Sequence, residues 1–146
     1  MRLNFLASAE EVRHAMTLLH ALVTDWGLAD ADADTAEIVL GEVLNNVVEH
    51  GYGACNSGEI SLDLHCNTNT LECRISDVGA RMSEAVLTRV KKPTDICPRK
   101  NLPEGGFGWM LIHRLARDIC YCRIAGRNHL TFSVPLTAWH GPPRMS

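Results

Sequence analysis

The stretch Glu42-Val43-Leu44-Asn45-Asn46-Val47-Val48-Glu49-His50, followed by Gly51-Tyr52-Gly53, decides how the rest of the chain is read. Glu42, Asn46 and His50 recur at every fourth position. On a helix this lines up a carboxylate, an amide and an imidazole along one face. A carboxylate takes a proton or holds a cation through water, and an amide oxygen binds a hard metal ion directly. Gly51 marks the helix end. Taken alone, such a line is either a solvated helix face or one wall of a site.

Upstream, the same helix is expected from about Asp34 to His50, with Ile38, Val39, Val43 and Val47 as its apolar face. Asp30, Asp32 and Asp34 lie just before it. They lack the glycine and distal glutamate of a calcium loop, so they read as caps and as negative charge at a helix start. Further back, Ser8 caps a helix, with Glu11 completing a capping box. Val12, Met16, Leu19, Leu22, Val23 and Trp26 keep helical spacing to Gly27, which ends it. Arg2 to Ala7 alternates around Leu3 and Phe5 as a short edge strand.

Downstream, Tyr52 to Gly58 is a turn. Glu59 to Cys66 and Thr70 to Ser76 alternate as strands, joined by a hairpin at Asn67-Thr68-Asn69. The second strand stops at Asp77-Val78-Gly79. An acid at a strand end, followed by glycine, suits a side chain meeting a ligand, and it also suits an ordinary turn. Ala80 to Glu104 carries Pro93, Pro98 and Pro103 and an excess of Lys and Arg over acids. A loop of this length reads as a lid or a solvated segment, and a basic lid suits a polyphosphate. Glu104-Gly105-Gly106-Phe107-Gly108-Trp109 then opens a helix containing Leu111, Ile112 and Leu115. Glycines there let backbone N–H groups approach an anion, or act as a hinge. No G-K-[ST] follows, and no parallel β-α-β unit surrounds the run, so it is neither a P-loop nor a dinucleotide fingerprint. Ile119 to Ile124 is a strand, Gly126-Arg127-Asn128 a turn, Leu130 to Leu136 the last strand, and Thr137 to Ser146 a frayed tail.

The 146 residues suit one domain, and 46% hydrophobic with 21% charged residues is ordinary globular composition. A formal charge of -3 gives no electrostatic support for direct nucleic-acid binding. No apolar run approaches the ~18 residues of a membrane span, and the N-terminal run is too short for a signal peptide. A cytoplasmic location is expected. The six cysteines include no C-x-x-C and read as small buried hydrophobes in a reducing compartment, Cys120-Tyr121-Cys122 included.

The succession E-x3-N-x3-H-G-Y, D-x-G, a long basic loop and G-G-x-G resembles the Bergerat-fold (GHKL) ATP-binding superfamily. Within it, the chain is similar to the anti-sigma-factor serine-protein kinases of bacterial partner-switching systems, from Arg2 to about Leu136. The resemblance implies an α/β (α+β) two-layer sandwich, with a mostly antiparallel sheet carrying helices on one face. It implies a single ATP-binding domain over 1–137 with a lid at 80–104 and a flexible tail at 138–146. Asn46 would bind Mg²⁺ bridging the ATP phosphates, and Glu42 would be the general base for a serine hydroxyl. Asp77 would accept from the adenine amino group, and Gly79 would let the base approach. Gly105, Gly106 and Gly108 would cradle the phosphates. His50 would cap the helix, shape the pocket or touch phosphate, and Thr131 would share a water with Asp77 and adenine. Implied partners are a STAS-type anti-anti-sigma protein, a sigma factor, and a second copy pairing through the edge strand at Arg2–Ala7. Arg81 stands where that family has a second glycine, and Trp109 where it has an aliphatic residue. Other readings are a non-catalytic binding module, simple ATP hydrolysis with Glu42 activating water, and a histidine-kinase catalytic domain. The last ranks lower, since the sequence shows no dimerisation helix pair or phospho-acceptor segment and such kinases generally lack the counterparts of Glu42 and His50.

Overall fold

Strict alternation builds the sheet. In the computed structural model, which describes residues 1–52, 58–82 and 105–137 (of 105–108 the backbone alone), five strands form one sheet. They are β1 (Arg2–Leu6), β2 (Glu59–Cys66), β3 (Thr70–Asp77), β4 (Arg117–Ile124) and β5 (Arg127–Pro135). The order is β1-β2-β3-β5-β4, and every neighbouring pair is antiparallel. Ile60, Leu62 and Leu64 of β2, Leu71, Cys73 and Ile75 of β3, and Leu130, Phe132 and Val134 of β5 point to one face and are buried there. Ser61, Asp63, Glu72, Arg74, Thr131 and Ser133 alternate onto the other face.

Among the described residues, three α-helices cover the apolar face: α1 (Ala9–Asp25), α2 (Asp30–Asn46) and α3 (Gly105–Leu115). Their buried stripes, Val12, Leu19 and Val23 of α1, Val39, Leu40 and Val43 of α2, and Trp109 and Ile112 of α3, join the strand residues in one core. The fold is the expected α+β two-layer sandwich. Trp109 is among the largest fully buried side chains, at 1% exposure, so the departure from an aliphatic residue is absorbed by the core.

Local signals explain the element ends. Ser8 Oγ accepts from Glu11 N at 3.1 Å, as a helix cap does. The Glu11 carboxylate turns to His14 at 3.3 Å. Gly27 follows the last turn of α1 with φ 74°, the left-handed conformation that favours glycine. The β2–β3 hairpin is held by Asn67 Oδ1, which accepts from Asn69 N, Thr70 N and Thr70 Oγ1.

Several boundaries differ from those expected. Helix α2 starts at Asp30, with no side-chain cap bond at Ala29. Asp32 is buried, at 3% exposure, and accepts from Thr137 N and Thr137 Oγ1 at 3.0 Å each. It tethers the end of β5 to the head of α2 across the fold. The β4–β5 hairpin turns on Ala125 (φ 52°) and Gly126 (φ 77°), closed by the pair Ile124–Arg127. Positive φ at both central residues is the type I′ signature. Asn128 therefore belongs to strand β5 and not to the turn. Cys66 and Cys73 are buried as expected, but Cys120 and Cys122 are exposed, because β4 is an edge strand and, among the described residues, their face has no helix over it. The lid expected over 80–104 falls outside the described residues from 83 onward, as do the tail from 138 onward, Cys55 and Cys97. Among the described residues, no helix is long and apolar enough to cross a membrane.

Candidate functional site

The polar line of Glu42, Asn46 and His50 ends in an irregularity. After Asn46 the helix widens into a π-helical turn, Val47–Tyr52. Such turns are rare and are found often at functional sites. Asn46 is 4% exposed, and its Nδ2 donates to the Glu42 carbonyl at 2.8 Å. This bond pins the amide and leaves Oδ1 as the atom able to coordinate. Glu42, one turn earlier, is half-buried. The wider turn takes His50 off the four-residue spacing, so it is exposed, yet it still borders the cleft described next.

Gly51 and Gly79 bring the helix end and the strand end together. Ala80 N donates to Gly51 O at 2.7 Å. A Cβ on Gly79 would lie 2.7 Å from Gly51 O and 2.8 Å from its carbonyl carbon. The glycine of D-x-G is thus required by backbone packing, whatever it also permits to a ligand. Tyr52 strengthens the junction. Its hydroxyl accepts from Val78 N at 2.9 Å and donates to Glu59 O at 3.1 Å, and burial pushes the phenol's pKa above the usual tyrosine value.

Asp77 lies at this junction at 4% exposure. Its Oδ1 accepts from Gly79 N and from Asn128 Nδ2, both at 2.9 Å. Asn128, on the facing position of β5, is 5% exposed. Its Nδ2 also donates to Gly79 O and Ala80 O, and its Oδ1 accepts from Tyr121 Oη and Arg123 Nη1. Asn46, His50, Gly51, Asp77, Met82 and Asn128 line one small cleft.

Asn46, His50 and Asp77 are therefore brought together. Glu42 stands one turn back, and Gly105 opens α3 as expected. Thr131 is not part of this group. It pairs with Arg74, while Asp77 pairs with Asn128, so Thr131 points to the opposite face of the sheet. There it borders an open concavity of about 620 Å³ with Asp63, His65 and Glu72. Its strand neighbours Leu130 and Phe132 occupy the core face, and alternation forces Thr131 outward. Asn128, read as a turn residue, is the β5 side chain that meets Asp77. The alternation of Leu130, Phe132 and Val134, continued backward by two residues, points to it.

The sequence and the fold match a known class. The family described as the histidine kinase-like ATPase domain matches residues 5–134. The chain belongs to this family, within the GHKL superfamily. Curated relatives include the serine-protein kinases RsbW of Bacillus thuringiensis (strain Al Hakam) and Bacillus cereus (strain 03BB102). Each is 32% identical over 114 residues, covering 77% of this chain and 71% of the relative. Among solved structures, the RsbU and RsbW domains of a Mycobacterium tuberculosis protein superpose with TM-score 0.59 at 16% identity, covering 100% of this chain and 34% of that one. The blue-light activated histidine kinase EL346 of Erythrobacter litoralis gives TM-score 0.51 at 19% identity, over 75% of this chain and 32% of that one. This chain thus spans about a third of each of those two solved chains, and the likeness to them is one of fold.

Proposed function

We propose that this chain is an ATP-dependent serine/threonine-protein kinase that acts as an anti-sigma factor in a bacterial partner-switching system. Its substrate would be an anti-anti-sigma protein of the STAS type, and a sigma factor the protein it holds. Residues 1–137 would act as one ATP-binding domain, in the cytoplasm. The observation that carries this reading is a pair of buried side chains across one cleft. Asn46 commits Nδ2 to its own helix and keeps Oδ1, while Asp77 commits Oδ1 to Gly79 and Asn128 and keeps Oδ2. Each leaves an acceptor oxygen for a ligand, in a chain 32% identical to proteins named serine-protein kinases.

The donor set suits Mg²⁺. Among the described residues, no three His, Cys, Asp or Glu side chains gather to form a protein cage for a metal. Mg²⁺ usually keeps waters and takes phosphate oxygens, so one amide oxygen, that of Asn46, suffices. When bound it would offset phosphate charge. Asp77 would accept a hydrogen bond from the adenine amino group. The N–H groups of Gly105, Gly106 and Gly108 would face the phosphates at the start of α3. Glu42, about 6 Å from Asn46 along the axis at ~1.5 Å per residue, would take the proton of the incoming serine hydroxyl. His50 would shape the cleft mouth. Strand β1, at the sheet edge, is open to pairing with a second copy.

One observation favours a second reading, the non-catalytic binding module. Arg81 stands where the D-x-G-x-G pattern of this fold class has its second glycine, a departure that bears on nucleotide affinity. Thermal melts separate the two. Millimolar Mg-ATP raises the Tm of a kinase, and Asp77→Asn removes that rise. Glu42→Ala keeps the rise but loses γ-phosphate transfer to the acceptor protein recovered by pull-down. Absence of any rise in the wild-type chain sinks the kinase reading and leaves the binding module.

A further inference from the structure

We propose that Tyr121, Arg123 and Asn128 are positioning residues for base recognition. Tyr121 and Arg123 hold the Asn128 amide one way round, and Asn128 in turn holds Asp77 with one carboxylate oxygen saturated and the other free for the base. The inference rests on the ATP-binding reading above and extends it to side chains on β4 and β5.

The amide's orientation follows from donor and acceptor chemistry. Arg123 has donors only, so the Asn128 atom facing its Nη1 at 2.8 Å must be Oδ1. Met82 N donates to the Tyr121 hydroxyl at 2.9 Å, which leaves that hydroxyl's hydrogen for Oδ1 as well. On the other side stand three acceptors: Asp77 Oδ1 at 2.9 Å, Ala80 O at 3.0 Å and Gly79 O at 3.2 Å. Only Nδ2 can face them. A flipped amide would set carbonyl against carboxylate on one side and N–H against N–H on the other.

The consequence is carried to Asp77. Two donors, Gly79 N and Asn128 Nδ2, converge on its Oδ1. Oδ2 makes no hydrogen bond among the described residues. The carboxylate therefore presents one acceptor, at a fixed angle, and a purine carrying an exocyclic amino group matches it. Arg123 Nη1 also donates to Gly79 O at 2.8 Å, so the same clamp fixes the strand end that carries Asp77. Tyr121 and Arg123 reach the cleft side of the sheet because they alternate with the exposed Cys120 and Cys122.

The test measures ATP and its analogue lacking the 6-amino group, each with Mg²⁺, by calorimetric titration. One hydrogen bond to a charged acceptor is worth on the order of tenfold or more in affinity, and the wild-type chain should prefer ATP by that factor. Asn128→Ala and Tyr121→Phe should bring the ratio toward one. Tyr121→Phe keeps the ring and its packing, which guards against simple misfolding. Arg123→Lys, which keeps one donor, should retain more of the ratio than Arg123→Ala. A merely structural role lowers both affinities together and leaves the ratio at its wild-type value, and that outcome overturns the inference with the ATP reading intact. A wild-type chain that binds neither nucleotide overturns both.

Discussion

Gly79→Ala is the substitution for which the structure allows the most explicit forecast. A Cβ at that position meets three backbone atoms of Gly51, at 2.7, 2.8 and 2.9 Å. None of these is the movable end of a side chain. Ordinary van der Waals contact begins near 3.4 Å, so the helix end and the strand end must part by roughly 0.7 Å, well up the repulsive wall. That movement stretches the bond from Ala80 N to Gly51 O from 2.7 Å toward the limit of useful geometry. Overpacking of this kind costs about 1–3 kcal/mol, and a weakened internal hydrogen bond about 1 more. The sum, about 2–4 kcal/mol, corresponds to a fall in Tm on the order of 5–15 °C for a domain of this size. Differential scanning calorimetry reads it directly. Gly41→Ala is the matched control. There the added methyl meets Met16 Cε at 3.8 Å, and a glycine leaves a helix interior, so stability should rise by about 0.5–1 kcal/mol. If Gly79→Ala melts within a degree of wild type, the two backbones are not packed as described and the explanation of the D-x-G glycine is wrong.

Asp32→Ala removes the buried carboxylate that receives Thr137 N and Oγ1, and with it two charge-assisted hydrogen bonds; urea unfolding should register a loss of about 1–3 kcal/mol. The Arg2 guanidinium, bonded to Asp63 at 2.8 Å, holds that carboxyl below its usual pKa. Because the folded pKa is the lower one, the stability it contributes is complete above the ordinary carboxylate value near pH ~4 and is lost as pH falls through the folded value. Asp63→Asn should therefore shrink its difference from wild type in acid, as followed by circular dichroism, and an unchanged difference down to complete protonation argues against the pair. Iodoacetamide applied to the native protein, followed by peptide mapping, should label Cys120 and Cys122. Cys66 and Cys73 should be protected until the protein unfolds, since both are buried and burial pushes the Cys73 thiol up.

Much of this architecture was readable from periodicity. Ile60, Leu62 and Leu64, and then Leu71, Cys73 and Ile75, alternate so regularly that the β2–β3 hairpin and the position of Asp77 at its end follow from spacing alone. Ser8 and Gly27 announced the limits of α1 because a cap and a left-handed glycine are local chemistry. What spacing could not show was long-range. Asp32 looked like one of three helix-start acids, yet its partner lies 105 positions away. Asn128 looked like a turn residue because it follows Gly126, but a two-residue turn at Ala125-Gly126 returns it to the strand, and moving by one position exchanges the faces of a sheet. Thr131 was assigned by family likeness against its own alternation, and the alternation prevailed. The π-helical turn after Asn46 has no compositional mark, so the line through His50 could not be seen to bend.

The bond between Asp77 and Asn128 joins two hairpins, β2–β3 and β4–β5, each of which closes locally. Their edge-to-edge meeting, β3 with β5, is long-range in sequence, as is the pairing of β1 with β2. A seam of that kind is late to form, because the entropy of closing a long loop must be met before its contacts are gained. The Asp77–Asn128 arrangement, and the base recognition proposed for it, thus exists only once these two hairpins have met, and neither hairpin alone carries a partial version of it. A nucleotide seated on the seam would act as a rivet, and the amide protons of β3 and β5 should be where its binding slows hydrogen exchange most.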